Sequence, residues 1–242
     1  MDLADDVTMY CADLRPQAPV DAVPVLLLHG FGTNFTMNWR TTGWPQVFDS
    51  AGLRVLGPDL RGHGKSGKPT GEEAYLPACF VTDLLAMLDA LEVEKVDVVG
   101  YSMGSRLAWE WALRAPERLR RVVLGGFGSG DAFHNTDLSD PGRGHTPFDH
   151  VFRTVAALPG NDAKALADCA RGQASRPFHL DPPVTGPPLM TIAGAQDVLA
   201  TGAEEIAEAC NGHHVEIPAR DHTNAVSSRV FKQAVLDFLT DL

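Results

Sequence analysis

Short apolar runs recur along the chain: Val25 to Leu28, Arg54 to Leu56, Val96 to Val99, Arg121 to Leu124, Leu189 to Ala193 and His213 to Ile217. Most are rich in Val, Ile or Leu, the pattern of strands buried on both faces of a parallel sheet. Between them the apolar period changes. Phe80, Leu84, Leu85, Leu88 and Leu91 fall on one helical face. Leu107, Trp111 and Leu113 form a second such stretch, and Val230, Phe231, Ala234, Val235 and Phe238 a third. Strand patterns alternating with helical ones predict an α/β fold with a mostly parallel, doubly wound sheet. The segment Val7 to Ala12 predicts an added antiparallel edge strand.

One region breaks this rhythm. From about Gly128 to Pro188 the chain is rich in Gly, Pro, Asp and His, with room for two modest helices near Val151–Leu158 and Ala163–Arg171. It begins directly after a predicted strand, at the carboxyl end where such sheets place their sites, so a lid is expected at about 128–188. With no internal repeat, and with motifs that need one shared sheet, residues 1–242 are expected to form one domain.

Composition narrows the function classes. Of 242 residues, 44% are hydrophobic, ample for a core, and the net charge of −11 argues against a nucleic-acid or anionic-membrane surface. Cys11, Cys79, Cys169 and Cys210 show no C-x-x-C spacing and read as free thiols in a reducing compartment. The start MDLADDVTMY is acidic and lacks an apolar signal core, and no apolar run approaches a bilayer span. The expectation is a soluble cytoplasmic protein with a small-molecule substrate and neither nucleic acid nor membrane as partner.

The candidate chemistry centres on Gly100-Tyr101-Ser102-Met103-Gly104, a G-x-S-x-G match between a predicted strand and a predicted helix. A sharp turn there lifts the Ser102 hydroxyl clear of the backbone, and the glycines allow neighbouring chain to approach closely. A serine hydroxyl needs a base in reach, and the base needs an orienting acid. In the chain order Ser, acid, His that accompanies this motif, His222 is the candidate base, in a loop just past the run His213–Ile217. Asp197, in the turn after Leu189–Ala193, is the preferred acid, with Asp131 as its competitor. The Met103 and Phe31 N–H groups are the candidate oxyanion donors; Phe31 lies in the loop His29-Gly30-Phe31-Gly32. His29 reads better as a shaper of that loop than as a catalytic group. Trp39, Tyr101, Phe133 and Phe178 are candidate pocket walls.

Two further matches are refused. Gly62-His63-Gly64-Lys65-Ser66-Gly67 fits G-x-G-x-x-G, but Lys68-Pro69-Thr70-Gly71 follows where a helix should open, and a P-loop would need glycine at Asp59. In this turn Asp59 and Arg61 are expected to pair or cap. His213 and His214, on opposite faces of one strand, do not suit one ion. No metal and no cofactor are expected.

Taken in order, His29-Gly30-Phe31-Gly32, Asp59-Leu60-Arg61-Gly62-His63-Gly64-Lys65-Ser66, Gly100-Tyr101-Ser102-Met103-Gly104, Asp197 and Asp221-His222 resemble the α/β-hydrolase superfamily over essentially the whole chain. The resemblance implies a lid inserted after the sixth strand, a Ser102–His222–Asp197 triad, and Phe31 and Met103 at the oxyanion hole. It implies a serine hydrolase, most simply a carboxylesterase on small esters. Ring-cleavage C–C bond hydrolases are an alternative. So are the menaquinone-pathway lyases, whose elbow Tyr101 to Arg106 resembles and in which Arg106 would meet a carboxylate. A ligand-binding protein on the same fold is a third class, disfavoured because all three triad residue types are present in order.

Overall fold

In the computed structural model, which describes residues 7–240, seven strands make one sheet. They are β1 (Cys11–Leu14), β2 (Val25–Leu28), β3 (Val55–Pro58), β4 (Val96–Tyr101), β5 (Leu119–Gly125), β6 (Leu189–Gly194) and β7 (His213–Ile217). The order across the sheet is β1-β3-β2-β4-β5-β6-β7. Only the β1–β3 pairing is antiparallel. The helices are α1 (Trp44–Ser50), α2 (Pro77–Ala90), α3 (Met103–Arg114), α4 (Pro147–Ala156), α5 (Ala163–Ala174), α6 (Ala203–Ala209) and α7 (Arg229–Thr240). The acidic start Met1–Asp6, used above to argue against a signal segment, lies outside the described residues.

Side chains of the inner strands alternate between two apolar cores. Leu26, Leu28, Val96, Val98, Val122 and Leu124 join the core beneath α2 and α3. Val25, Leu27, Val99 and Val123 join the other, with Trp44, Phe48, Phe231 and Val235 from α1 and α7. Both faces are covered, which is why the strands read as unbroken apolar runs rather than alternating ones. The chain moves outward from β2 to β3, then returns to place β4 on the other side of β2. That reversal opens a crevice at the carboxyl ends of β2 and β4, the natural site in a doubly wound sheet.

The loop from Asp59 to Gly67 braces this crevice. The Asp59 carboxylate accepts from the Phe35 N–H at 2.9 Å and the Lys65 N–H at 2.9 Å, so it caps loop backbone. Arg61 forms a fork with Asp83 of α2, at 2.6 and 2.5 Å, and donates to the Ala74 carbonyl. Capping and pairing thus fall to different residues, with Asp83, unremarked in the sequence, as the partner of Arg61.

Several expectations shift. The edge strand is Cys11–Leu14, not Val7 to Ala12, because Thr8 and Tyr10 bond the Asp59–Gly67 loop instead. The insertion leaves the sheet after β5, not after a sixth strand, because only one edge strand precedes β2. Its first helix starts at Pro147, ahead of the expected Val151, because Thr146 and Asp149 form a reciprocal capping box there. α1, α6 and a π-helical turn at Thr36–Arg40 are too short for a legible period. No helix among the described residues is long and apolar enough to cross a membrane.

Both members of the Arg61–Asp83 pair are almost wholly buried. Asp83→Ala therefore strands a guanidinium in the core and is expected to lower stability by about 3–5 kcal/mol, read as a fall in the urea midpoint.

Candidate active site

The turn between β4 and α3 holds Ser102 at φ 54° and ψ −117°, a conformation that side-chain-bearing residues rarely adopt. Such a backbone costs about 1–3 kcal/mol and persists only where packing over-determines it. Here the packing comes through the flanking glycines. A Cβ on Gly100 would lie 2.5 Å from the backbone of Gly104 and Ser105, and one on Gly104 would run into the Leu28 carbonyl. The Ser102 N–H donates to the Gly125 carbonyl at 2.8 Å, which ties the turn to β5. The result is a half-buried serine at the head of α3, facing the crevice.

Two adjacent loops bring an imidazole and a carboxylate to the same rim. His222 Nδ1 lies 3.0 and 2.8 Å from the two Asp197 oxygens. The carboxylate has nothing to donate, so Nδ1 is the nitrogen that carries a proton in this contact. The Asp197 side chain is fully buried and also accepts from the Leu199 N–H at 3.0 Å. The loops are stitched by Gln196 N–H to the Arg220 carbonyl and Ala195 N–H to the Ile217 carbonyl. Tyr101 Oη donates to the His222 carbonyl at 2.6 Å, which fixes the backbone that carries the imidazole. Asp131 lines the cavity but receives the Phe133 N–H, while Asp221 is occupied by Thr223 and Asn224 in its own turn.

The loop after β2 supplies the opposite wall. His29 is fully buried; its Nδ1 donates to the Gly30 carbonyl at 2.9 Å and its Nε2 accepts the Leu60 N–H at 2.9 Å. It shapes backbone, as expected. The Gly30 N–H donates to Asn38 Oδ1. Among the described residues the Phe31 and Met103 N–H groups make no backbone hydrogen bond outside the helices and strands. α4 lies over this loop: Val155 fills the space above Gly32, Asn161 donates to the Gly32 carbonyl at 2.7 Å, and Phe148 packs on Phe31 at 5.3 Å.

Between these walls is a cavity of about 540 Å³, within the usual range for small-molecule sites. Ser102, His222, Phe31, Met103, Tyr101, Phe133 and Phe178 all line it. Trp39 does not. It is fully buried in the core with Trp44, 5.3 Å away edge-on, and its neighbour Asn38 faces the cavity instead. The π-helical turn sets which of the two points inward, and no sequence period marks such a turn. Arg106 also lines the cavity, but its guanidinium is held by Glu110 at 3.0 Å and by the Arg176 carbonyl. Asn38, Gln173 and His150 are cavity residues without a signal in the sequence beyond their polarity. No group of three or more His, Cys, Asp or Glu arranged for a metal occurs among the described residues.

A family profile described as alpha/beta hydrolase fold matches residues 23–168, and the chain belongs to that family. A 2-hydroxy-6-oxo-2,4-heptadienoate hydrolase of Pseudomonas putida is 41% identical over 147 residues, 60% of this chain and 51% of the relative. The chain spans about half the length of the curated relatives it matches. A solved hydrolase from Pseudomonas aeruginosa is 26% identical with a TM-score of 0.77, covering 99% of this chain and 97% of that one. An esterase from Thermogutta terrifontis is 22% identical with a TM-score of 0.79, covering 97% and 94%, a likeness of fold.

Burial lowers His29 from the ordinary 6.5 to about 4, and burial, with the neighbouring His29, lowers His63 to about 3. Below pH 6.5 the unfolded chain takes up protons that the folded chain refuses, so these groups favour folding above that pH and the benefit is lost as pH falls toward 4. The urea midpoint is expected to drop between pH 7.5 and 4.5, with a shallower slope in His63→Asn. The depressed carboxylates Asp149 and Asp168, at about 2, act only below this window.

Proposed function

We propose that the chain is a serine hydrolase acting on small, mainly apolar carboxylic esters. Ser102 is the nucleophile, His222 the base and Asp197 the orienting acid. The observation that carries this reading is the strained Ser102 backbone at φ 54°, opening into one cavity with a His222 already paired to a buried carboxylate. Strain held at a single polar residue in a pocket calls for a use.

In the proposed reaction His222 Nε2 takes the Ser102 proton as the oxygen attacks the ester carbonyl. Asp197 steadies the imidazolium. The Phe31 and Met103 N–H groups hold the oxyanion, and α3 begins at that point with its favourable field. The alkoxide leaves with the His222 proton, and water, activated by the same imidazole, releases the acid. Phe31, Phe133, Phe148 and Phe178 give the substrate an apolar enclosure. The reading keeps one domain, with residues 128–188 as a lid whose α4 covers the oxyanion loop.

A second reading is favoured by the Pseudomonas putida relative. The oxo-dienoate in its name contains no ester, so its hydrolysis breaks a carbon–carbon bond. The same nucleophile or base suits that reaction. The lyase reading asks Arg106 to meet a carboxylate, and Glu110 already occupies that guanidinium.

A fluorophosphonate is expected to add once to the wild-type protein and not to Ser102→Ala, read by intact mass. Hydrolysis of short p-nitrophenyl esters should fall about 10⁴-fold or more in the variant. An adduct on wild type without ester turnover, together with cleavage of oxo-dienoic acids, moves the assignment to the second reading. Asp197→Asn should retain the adduct but label and turn over about 10³–10⁴-fold more slowly, since the imidazole loses its orienting anion.

A further inference from the structure

We propose that Thr33 is a positioning residue whose hydroxyl orients and polarises the Phe31 N–H, the amide that meets the oxyanion. The proposal rests on the ester reading for the role of that amide. Thr33 is half-buried in the loop after β2 and lines the cavity. Its Oγ1 lies 2.8 Å from the Gly30 carbonyl oxygen and 3.3 Å from Asn38 Oδ1. The hydroxyl has one proton to give, and the nearer Gly30 carbonyl takes it. Asn38 Oδ1 is already engaged, accepting the Gly30 N–H at 3.0 Å.

Two further donors converge on the same carbonyl. Burial keeps His29 neutral, and its Nε2 accepts the Leu60 N–H. Its single ring proton therefore sits on Nδ1, 2.9 Å from the Gly30 oxygen. The Thr33 N–H reaches that oxygen at 3.3 Å. Gly30 is the residue type least able to hold its own backbone direction, so its peptide depends on such contacts. Of the three donors, only the Thr33 hydroxyl can be removed without touching backbone or a buried ring.

The Gly30 carbonyl and the Phe31 N–H belong to one peptide unit, and that unit is trans. Its C=O and N–H lie in one plane and point in opposite directions. Donors that hold the carbonyl therefore aim the Phe31 N–H the other way, away from His29 and the Thr33 hydroxyl. Among the described residues no backbone acceptor meets it there. The nucleophile is close by: a Cβ on Gly30 would lie 3.5 Å from Ser102 Cβ. The same donors draw electron density toward the carbonyl oxygen, which leaves the N–H more positive and a stronger donor. Thr33 thus acts on the oxyanion through the peptide, without touching it.

The test compares p-nitrophenyl acetate with its thiono analogue, in which sulfur replaces the carbonyl oxygen, on wild type, Thr33→Val and Thr33→Ser. Valine keeps the branched shape without the hydroxyl, and serine keeps the hydroxyl. Sulfur is larger and a weaker acceptor, so a weakened amide donor costs the ester more than the thionoester. In Thr33→Val, kcat/KM for the ester is expected to fall about tenfold, a part of what a whole oxyanion donor supplies. The ester-to-thionoester ratio should fall with it, and Thr33→Ser should restore both. A ratio within one protein is insensitive to loss of folded fraction. An unchanged ratio in Thr33→Val overturns the proposal while the ester reading stands, since a purely structural loss lowers both substrates alike. A second readout needs no substrate. In protein labelled at phenylalanine nitrogen, the Phe31 amide nitrogen resonance should move upfield in Thr33→Val and return in Thr33→Ser. Should wild type turn over no ester, the ester reading fails and this shift alone decides whether Thr33 polarises the amide. An unmoved Phe31 resonance overturns the proposal in either case.

Discussion

The close approach of the β4–α3 turn to the end of β2 is the constraint on which the rest of the site depends. Gly104 rests against the Leu28 carbonyl, and Gly100 against the first turn of α3. Only chain without Cβ atoms fits there. That contact holds Ser102 in its strained backbone and brings α3's N-terminal amides beside the Gly30-Phe31 loop. The strain is local, but it is balanced by the cores on both faces of the sheet, where β2 and β4 are fully buried. Site and core are thus one mechanical object.

Around this centre the remaining groups are set by pairs of loops, each tied to its neighbour rather than to the sheet alone. The turns after β6 and β7 exchange backbone hydrogen bonds, and so Asp197 and His222 meet although 25 residues separate them. The buried His29 joins the β2 loop to Leu60 of the β3 loop, and Asp59 ties that loop on to Phe35. The insertion is anchored twice. α5 is held to the Gly71–Tyr75 turn through Asp168 and Gln173, and α4 with the turn after it lies on the Gly30–Gly32 loop through Val155 and Asn161. The first anchor is polar and buried at Gln173; the second is chiefly apolar contact.

The strand runs, the helical faces and the doubly wound sheet were legible in the sequence because burial on both faces of a parallel sheet leaves an unbroken apolar signal. The elbow was legible because its glycines answer to steric contacts that no other residue permits. His222 and Asp197 were legible as loop residues following strands, since the carboxyl ends of parallel strands share one rim. Local chemistry, repeated at the period of an element, is what a linear sequence records.

What the tertiary structure decided lies where neighbours come from distant parts of the chain. Trp39 turned into the core and Asn38 into the cavity because a π-helical turn, not a periodic element, sets their directions. Asp83, rather than Asp59, answered Arg61, since α2 brings a carboxylate to it at 2.5 Å. Gln173 kept one amide end unpaired because Tyr75, 98 positions away, claims the other. Elements and their order follow from short-range periodicity and sterics. Which polar atom is satisfied, and which is left unpaired, follows from long-range packing that no local pattern encodes.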